Sequence, residues 1–168
     1  LLQGTEKPED DNSPFAEVEI EVDDVFRELT KRLTSISEVP ELNVPHGLQA
    51  TLRAYQQKGF EWLVHLKNMG FGALLADDMG LGKTIQSITY LAYRKENEEK
   101  RGASLIVCPT SVINNWKREI ELFYPDLTVH VHYGGNRLKG EDLFSIMRDV
   151  DIVITSYALS VLDYEDLK

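Results

Sequence analysis

Cysteine is nearly absent. Cys108 stands alone among 168 residues, so no internal disulfide can form, and a reducing, intracellular setting is expected. Long apolar runs are missing as well: none approaches the roughly 20 residues that a membrane-spanning helix needs. The N-terminal stretch LLQGTEKPEDDNSP lacks the basic start, apolar centre and cleavage site of a secretory signal. The expected location is therefore intracellular: cytoplasm or nucleoid in a prokaryote, nucleus in a eukaryote. With 42% hydrophobic and 27% charged residues, the chain has the balance of a globular domain rather than a collagen-like, wholly disordered or disulfide-stapled one.

Positive charge is in short supply, with a net of −10 at neutral pH. Taken whole, that argues against a nucleic-acid partner. The distribution reverses the argument. Residues 1–46 carry 12 acidic and 4 basic side chains, while residues 47–168 carry 16 and 14. The acidity belongs to a leading arm, and the body is close to neutral, leaving room for local basic patches.

The arm, residues 1–46, is expected to be an acidic linker or appendage. Pro8 and Pro14 break its polar start. Ala16, Val18, Ile20 and Val22 then alternate with acidic residues as in a strand, and Val25, Phe26, Leu29 and Leu33 follow at helical spacing. A second linker, EVPELNVPHG, holds Pro40, Pro45 and Gly47.

From residue 47 onward, helical and strand signals alternate. The spacing of Leu52, Tyr55, Phe60, Leu63 and Leu66 predicts a helix over 50–69, closed by Gly70. FGALLAD predicts a buried strand, followed by a helix from about Lys83 to Lys100. ASLIVCP is a strand, and SVINNWKREIELFY is a helix capped by Thr110 or Ser111 and stopped by Pro125. LTVHVHYGG and DIVITSY are strands on either side of the helix GEDLFSIMRD, and ALSVLDYEDLK begins another helix. This alternation implies βαβ units: an α/β fold with a parallel sheet and flanking helices. An exposed apolar edge near the last strand and helix, with some self-association, is expected.

The strongest chemical signal is LLADDMGLGKT, residues 74–84. Glycines let a backbone curl so that several N–H groups face an anion, and the following helix start adds partial positive charge. Lys83 can reach the β- and γ-phosphates of a nucleotide, and the Thr84 hydroxyl can hold Mg²⁺. The general phosphate-loop pattern would place glycine at position 77, where this chain has Asp77.

Other polar residues carry less. Gln56 has a donor and an acceptor to offer an adenine edge, but a glutamine on an amphipathic helix is usually only solvated. Phe60 and Trp62 read as core. His130 and His132 share a strand face at i, i+2, and a metal site would need further ligands. Cys108, inside an apolar strand, reads as core, and RKENEEKR (94–101) reads as a solvated helix end.

Four segments in order, LRAYQQKGFEWL, LLADDMGLGKTIQSI, LIVCPTSVINNWKREI and DIVITSYALS, resemble the opening motifs of SWI/SNF-type ATPases, the double-stranded DNA translocases of helicase superfamily 2. The resemblance covers residues 48–162. It implies a P-loop NTPase, RecA-like lobe over 47–168 and ATP with Mg²⁺ as ligands. Gln56 then corresponds to the adenine-recognising glutamine, with Arg53 beside it. Asp78, Met79, Gly80, Leu81, Gly82, Lys83 and Thr84 correspond to the phosphate loop, with Lys83 and Thr84 in the catalytic roles. Pro109 and Thr110, and Thr155, Ser156 and Tyr157, correspond to segments that touch the backbone of double-stranded DNA, contacts that carry no sequence specificity.

Three departures accompany the resemblance. Ala54 replaces the usual proline, Asp78 replaces the usual glutamate, and the acidic box that would hold Mg²⁺ and position water is not in the sequence. The expectation is a truncated first lobe that is inactive alone and depends on a second lobe of the parent chain. Two alternatives stay open: a non-catalytic interaction module whose acidic arm docks a protein partner, or another P-loop enzyme such as a nucleotide kinase, for which an arginine-rich lid is missing.

Overall fold

The computed structural model describes residues 39–99 and 102–168. The strand and helix expected between Ala16 and Leu33 lie outside the described residues.

Helix α1 runs Ala54–Asn68, α2 runs Lys83–Asn97, and strand β1 runs Ser104–Cys108. A 3₁₀ turn, Thr110–Val112, leads into α3, Ile113–Phe123. Then come β2 (Val129–Val131), α4 (Gly140–Asp149), β3 (Ile152–Ser156), α5 (Tyr157–Leu162) and α6 (Tyr164–Leu167). The sheet has the order β1-β3-β2, and both pairings are parallel. Among the described residues no helix is long and apolar enough to cross a membrane.

Local chemistry accounts for several boundaries. In α4, Glu141 and Asp142 occupy the first turn and Arg148 the last, each at the end of the helix dipole that favours its charge. Helix α1 ends where Gly70 turns left-handed, with its N–H donating to the Lys67 carbonyl. Helix α3 stops at Phe123, two residues before Pro125. Its start differs from expectation: Val112 precedes the first helical residue, and neither Thr110 nor Ser111 caps with its side chain, because the 3₁₀ turn has already taken both residues.

The core forms where Ile152 and Ile154 of β3 meet Ile88 and Ala92 of α2 and Ile113, Ile120 and Tyr124 on and just beyond α3, with Cys108 and Leu127 beside them. All five residues of β3 are buried, as befits a central strand covered on both faces. Burial pushes the Cys108 thiol above its ordinary value. Phe60 is buried and meets Tyr93 edge-on at 5.6 Å, fastening α1 to α2. Trp62 is half-buried.

One expected strand is not formed. Residues 71–77 adopt no regular structure, and Leu74 is 83% exposed. A strand exists only through hydrogen bonds to a neighbour, and among the described residues no strand runs beside this one. The segment between Pro40 and Gly47, which reads as a linker, is tethered to the lobe. Gln57 Nε2 donates to the Leu42 carbonyl at 2.7 Å, and Leu42 N–H donates to Glu61 at 3.1 Å. His46 and Gly47 N–H groups both donate to Glu96 of α2.

Candidate phosphate-loop site

The site is built where residues 77–82 enter α2. Gly80 and Gly82 have φ of 82° and 83°, in the left-handed region that side chains with a Cβ avoid. A Cβ at Gly80 would meet nothing, whereas a Cβ at Gly82 would lie 2.4 Å from Gln56 Nε2. Glycine at 82 is thus required twice, by backbone angle and by the close approach of α1.

Two side chains from the start of α1 converge on one loop carbonyl. Tyr55 Oη and Gln56 Nε2 each donate to the Leu81 carbonyl at 3.1 Å. The Gln56 Oε1 accepts from Arg53 N–H at 2.9 Å. Gln56, expected as a purine ligand, is therefore buried against the loop, with both ends of its amide spent on backbone groups. Arg53 is exposed beside it, one guanidinium nitrogen 3.5 Å from the Tyr55 hydroxyl.

Lys83 Nζ donates to the carbonyls of Asp77 at 2.6 Å and Asp78 at 2.9 Å. The ammonium is folded into the concavity of the loop, where its charge meets these two carbonyl dipoles. An open cavity of about 430 Å³ lies over the loop, lined by Met79, Gly80, Gly82, Lys83, Thr84 and Ile85 together with Glu119 and Phe123 of α3. Met79 is almost wholly exposed. Thr84 and Glu119 bring oxygen donors to this cavity, the ligand type that Mg²⁺ takes alongside phosphate oxygens and water.

The other expected contacts lie at the carboxyl edge of the sheet. The register pairs Val107 with Thr155 and Cys108 with Ser156, which sets Pro109 and Thr110 beside Tyr157. Pro109, Thr110 and Tyr157 are exposed. Ser156 is buried and caps α5, its Oγ accepting from Leu159 N–H at 3.3 Å. Thr155 differs in kind: it is fully buried and its hydroxyl donates to the His132 carbonyl at 3.0 Å. Its hydroxyl is held inside the lobe, so it positions this edge rather than facing outward.

Sequence reasoning passes over four residues that the fold brings into play. Tyr55 reads as part of an apolar face, Gln86 and Glu119 fall in expected helices with no role assigned, and Asp163 falls within the helix expected from Ala158. Asp163 is buried and holds His132 Nε2 at 3.0 Å, the Arg137 guanidinium through two bonds and Lys139 Nζ at 3.2 Å. The Arg137 bonds first, with His132 and Lys139 adding to them against the cost of burial, hold its carboxyl well below the usual carboxylate range. His130 is lowered chiefly by burial and further by His132. No group of three or more His, Cys, Asp or Glu side chains among the described residues is arranged to hold a metal ion.

The fold aligns with the Sulfolobus solfataricus SWI2/SNF2 ATPase core in complex with double-stranded DNA, at TM-score 0.64 and 40% identity over 75% of this chain and 25% of that one. The architecture is that of a RecA-like P-loop lobe. The SNF2-related domain profile matches residues 55–168, and the chain belongs to that family. Among curated relatives, YwqA of Bacillus subtilis, which carries the name of an ATP-dependent helicase/translocase, is 46% identical over 94% of this chain and 17% of its own length. The chromatin-remodeling ATPase INO80 of Arabidopsis thaliana is 38% identical over 83% of this chain and 10% of its own length. The helicase SWR1 of Debaryomyces hansenii is 40% identical over 79% of this chain and 8% of its own length. The chain thus spans about a sixth or less of these relatives.

Proposed function

We propose that this chain is the nucleotide-binding portion of an ATP-dependent motor that tracks along double-stranded DNA. The observation that carries this reading is the phosphate loop: two left-handed glycines ending in Lys83 and Thr84 at the start of α2, open to a cavity. A triphosphate entering the cavity would draw Lys83 Nζ from the Asp77 and Asp78 carbonyls onto its β- and γ-oxygens, exchanging two dipoles for full opposite charges. Loop N–H groups and the amino end of α2 would take the remaining phosphate oxygens. The Thr84 hydroxyl would hold Mg²⁺, and the ion would neutralise phosphate charge when bound.

Gln56 would meet the adenine edge with the amide that now bonds Leu81 and Arg53, and Arg53 would flank the base. Asp78, Met79 and Leu81 complete the loop backbone around the phosphates. Duplex DNA would lie along the carboxyl ends of β1 and β3, against Pro109, Thr110, Ser156 and Tyr157, with Thr155 bracing that edge from within. Such contacts reach phosphates, and so no sequence preference follows. In this reading residues 1–46 form an acidic appendage whose charge would suit docking to a protein partner, and residues 47–168 form the lobe.

Competition against a fluorescent ATP analogue tests the nucleotide half of this reading. ATP should displace the probe far better than adenosine, since the loop selects for phosphates. Adenosine competing as well as ATP would contradict it.

A further inference from the structure

Gln86 lies three residues beyond Lys83 on α2 and is fully buried. Its Nε2 donates to the Asp77 carboxylate at 3.3 Å and to the Gly82 carbonyl at 3.4 Å. Its Oε1 is buried without a partner among the described residues. Behind that oxygen stands Gly59 of α1, where a Cβ would come within 1.9 Å of it. The helix backbone closes over the amide and leaves it no room to swing.

Asp77 and Gly82 bracket the turn that leads into α2, and one amide nitrogen spans both. Asp77 is also the position where the general loop pattern has glycine. A glycine there would offer only its carbonyl, which already accepts from Lys83; the carboxylate adds an anchor that glycine lacks. A buried amide is costly unless hydrogen-bonded, and among the described residues these two long bonds are the ones it makes, so burying this side chain carries a desolvation cost. We propose that Gln86 and Asp77 form a clasp that closes the phosphate loop end to end, with Gly59 as the backstop that holds the amide in place. Gln86 is a positioning residue: it lies beneath the loop and acts through Asp77 and Gly82.

The clasp bears on the nucleotide site proposed above, but its direct test needs no nucleotide. Amide hydrogen exchange is measured on the nucleotide-free 168-residue chain and on Asp77→Ala, Gln86→Leu, the double variant and Asp77→Asn. Asp77 is exposed, so its replacement leaves the core intact even if Gln86→Leu perturbs it. The clasp requires several-fold faster exchange at residues 78–82 in Asp77→Ala and in Gln86→Leu, with the middle of α2 unchanged. The double variant should be no faster than Gln86→Leu, which already loses both bonds, because the Asp77 bond can be lost only once. Asp77→Asn, which keeps an acceptor oxygen, should exchange like the unsubstituted chain.

Unchanged loop exchange in Asp77→Ala, or additive effects in the double variant, would overturn the clasp. A titration with Mg-ATP separates this inference from the reading on which its function rests. Binding weakened about tenfold in Asp77→Ala without a fall in melting temperature supports a positioning role. Loop exchange that responds as required in a chain that binds no ATP would keep the clasp and refute the nucleotide site.

Discussion

At the scale of single residues, the account turns on two glycines of equal φ and unequal surroundings. Gly80→Ala meets no neighbour and should cost only the left-handed penalty, about 1–2 kcal/mol. Gly82→Ala incurs the same penalty and drives a methyl group into Gln56, so it should cost measurably more. At about 2–4 °C per kcal/mol for a chain of this size, thermal melts of the two variants will rank them. Equal melting temperatures would mean that Gln56 yields freely and does not pack on the loop. Tyr55 adds a milder case. Its hydroxyl donates to the Leu81 carbonyl at an exposed position, and Tyr55→Phe should weaken nucleotide binding modestly while leaving stability nearly unchanged.

The residue scale also shows what a sequence can and cannot carry. The phosphate loop was legible because its chemistry is local: glycines, a lysine and a threonine in consecutive positions before a helix. Gln86, Glu119 and Asp163 were not, because their roles depend on which neighbours packing brings up from 9, 35 and 31 residues away: Asp77, the loop cavity and His132. Thr155 was legible as a sheet-edge residue, but its inward hydroxyl was not, since the bond to His132 depends on the pairing of β2 with β3.

Among elements, β3 is the keystone, a fully buried strand between β1 and β2. Ile154→Ala should cost about 2–5 kcal/mol, measured by chemical denaturation, and a cost under 1 kcal/mol would place the core elsewhere. Its sequence pattern was readable because a short apolar run bounded by Asp151 and Tyr157 admits few alternatives. Residues 71–77 have a similar apolar texture but no neighbouring strand among the described residues, and pairing is a property of two segments that neither one encodes alone. Their amides should exchange quickly, while those of β3 stay protected.

A second element-scale feature is the clamp of Glu96 on the segment preceding α1. Glu96 receives the His46 and Gly47 N–H groups and the Tyr124 hydroxyl. Burial works against its charge, but the His46 amide, the Tyr124 hydroxyl and the Gly47 amide outweigh burial and leave its carboxyl below the ordinary value. Tyr124→Phe should cost about 1.5–3 kcal/mol, the usual net worth of a hydrogen bond to a charged group. The prolines of this segment suggested a free linker because proline signals a break in regular structure, not a break in contact.

For the whole molecule, the same carboxylates set the acid limit of stability. Asp163 and Glu96 both have folded-state pKa values below their unfolded ones. Their stabilisation is therefore present above the unfolded carboxylate range and is lost as the pH falls through about 4 toward the folded values. Asp163→Asn should flatten that acid limb in denaturation curves recorded from pH 6 down to pH 3. At the other extreme, burial and then the Glu96 contact push the Tyr124 hydroxyl up to about 12. Stability that is complete below about pH 10 should decline as the pH rises toward 12.

Residues 77–84 are proposed to hold a nucleoside triphosphate through Lys83. Calorimetric titration of Mg-ATP into this chain, beside Lys83→Ala of unchanged melting temperature, tests it most directly. Saturable binding with a stoichiometry of one is expected, and it should be lost in Lys83→Ala. Binding of equal strength in both proteins would contradict it, since the ammonium would then take no part in holding the phosphates.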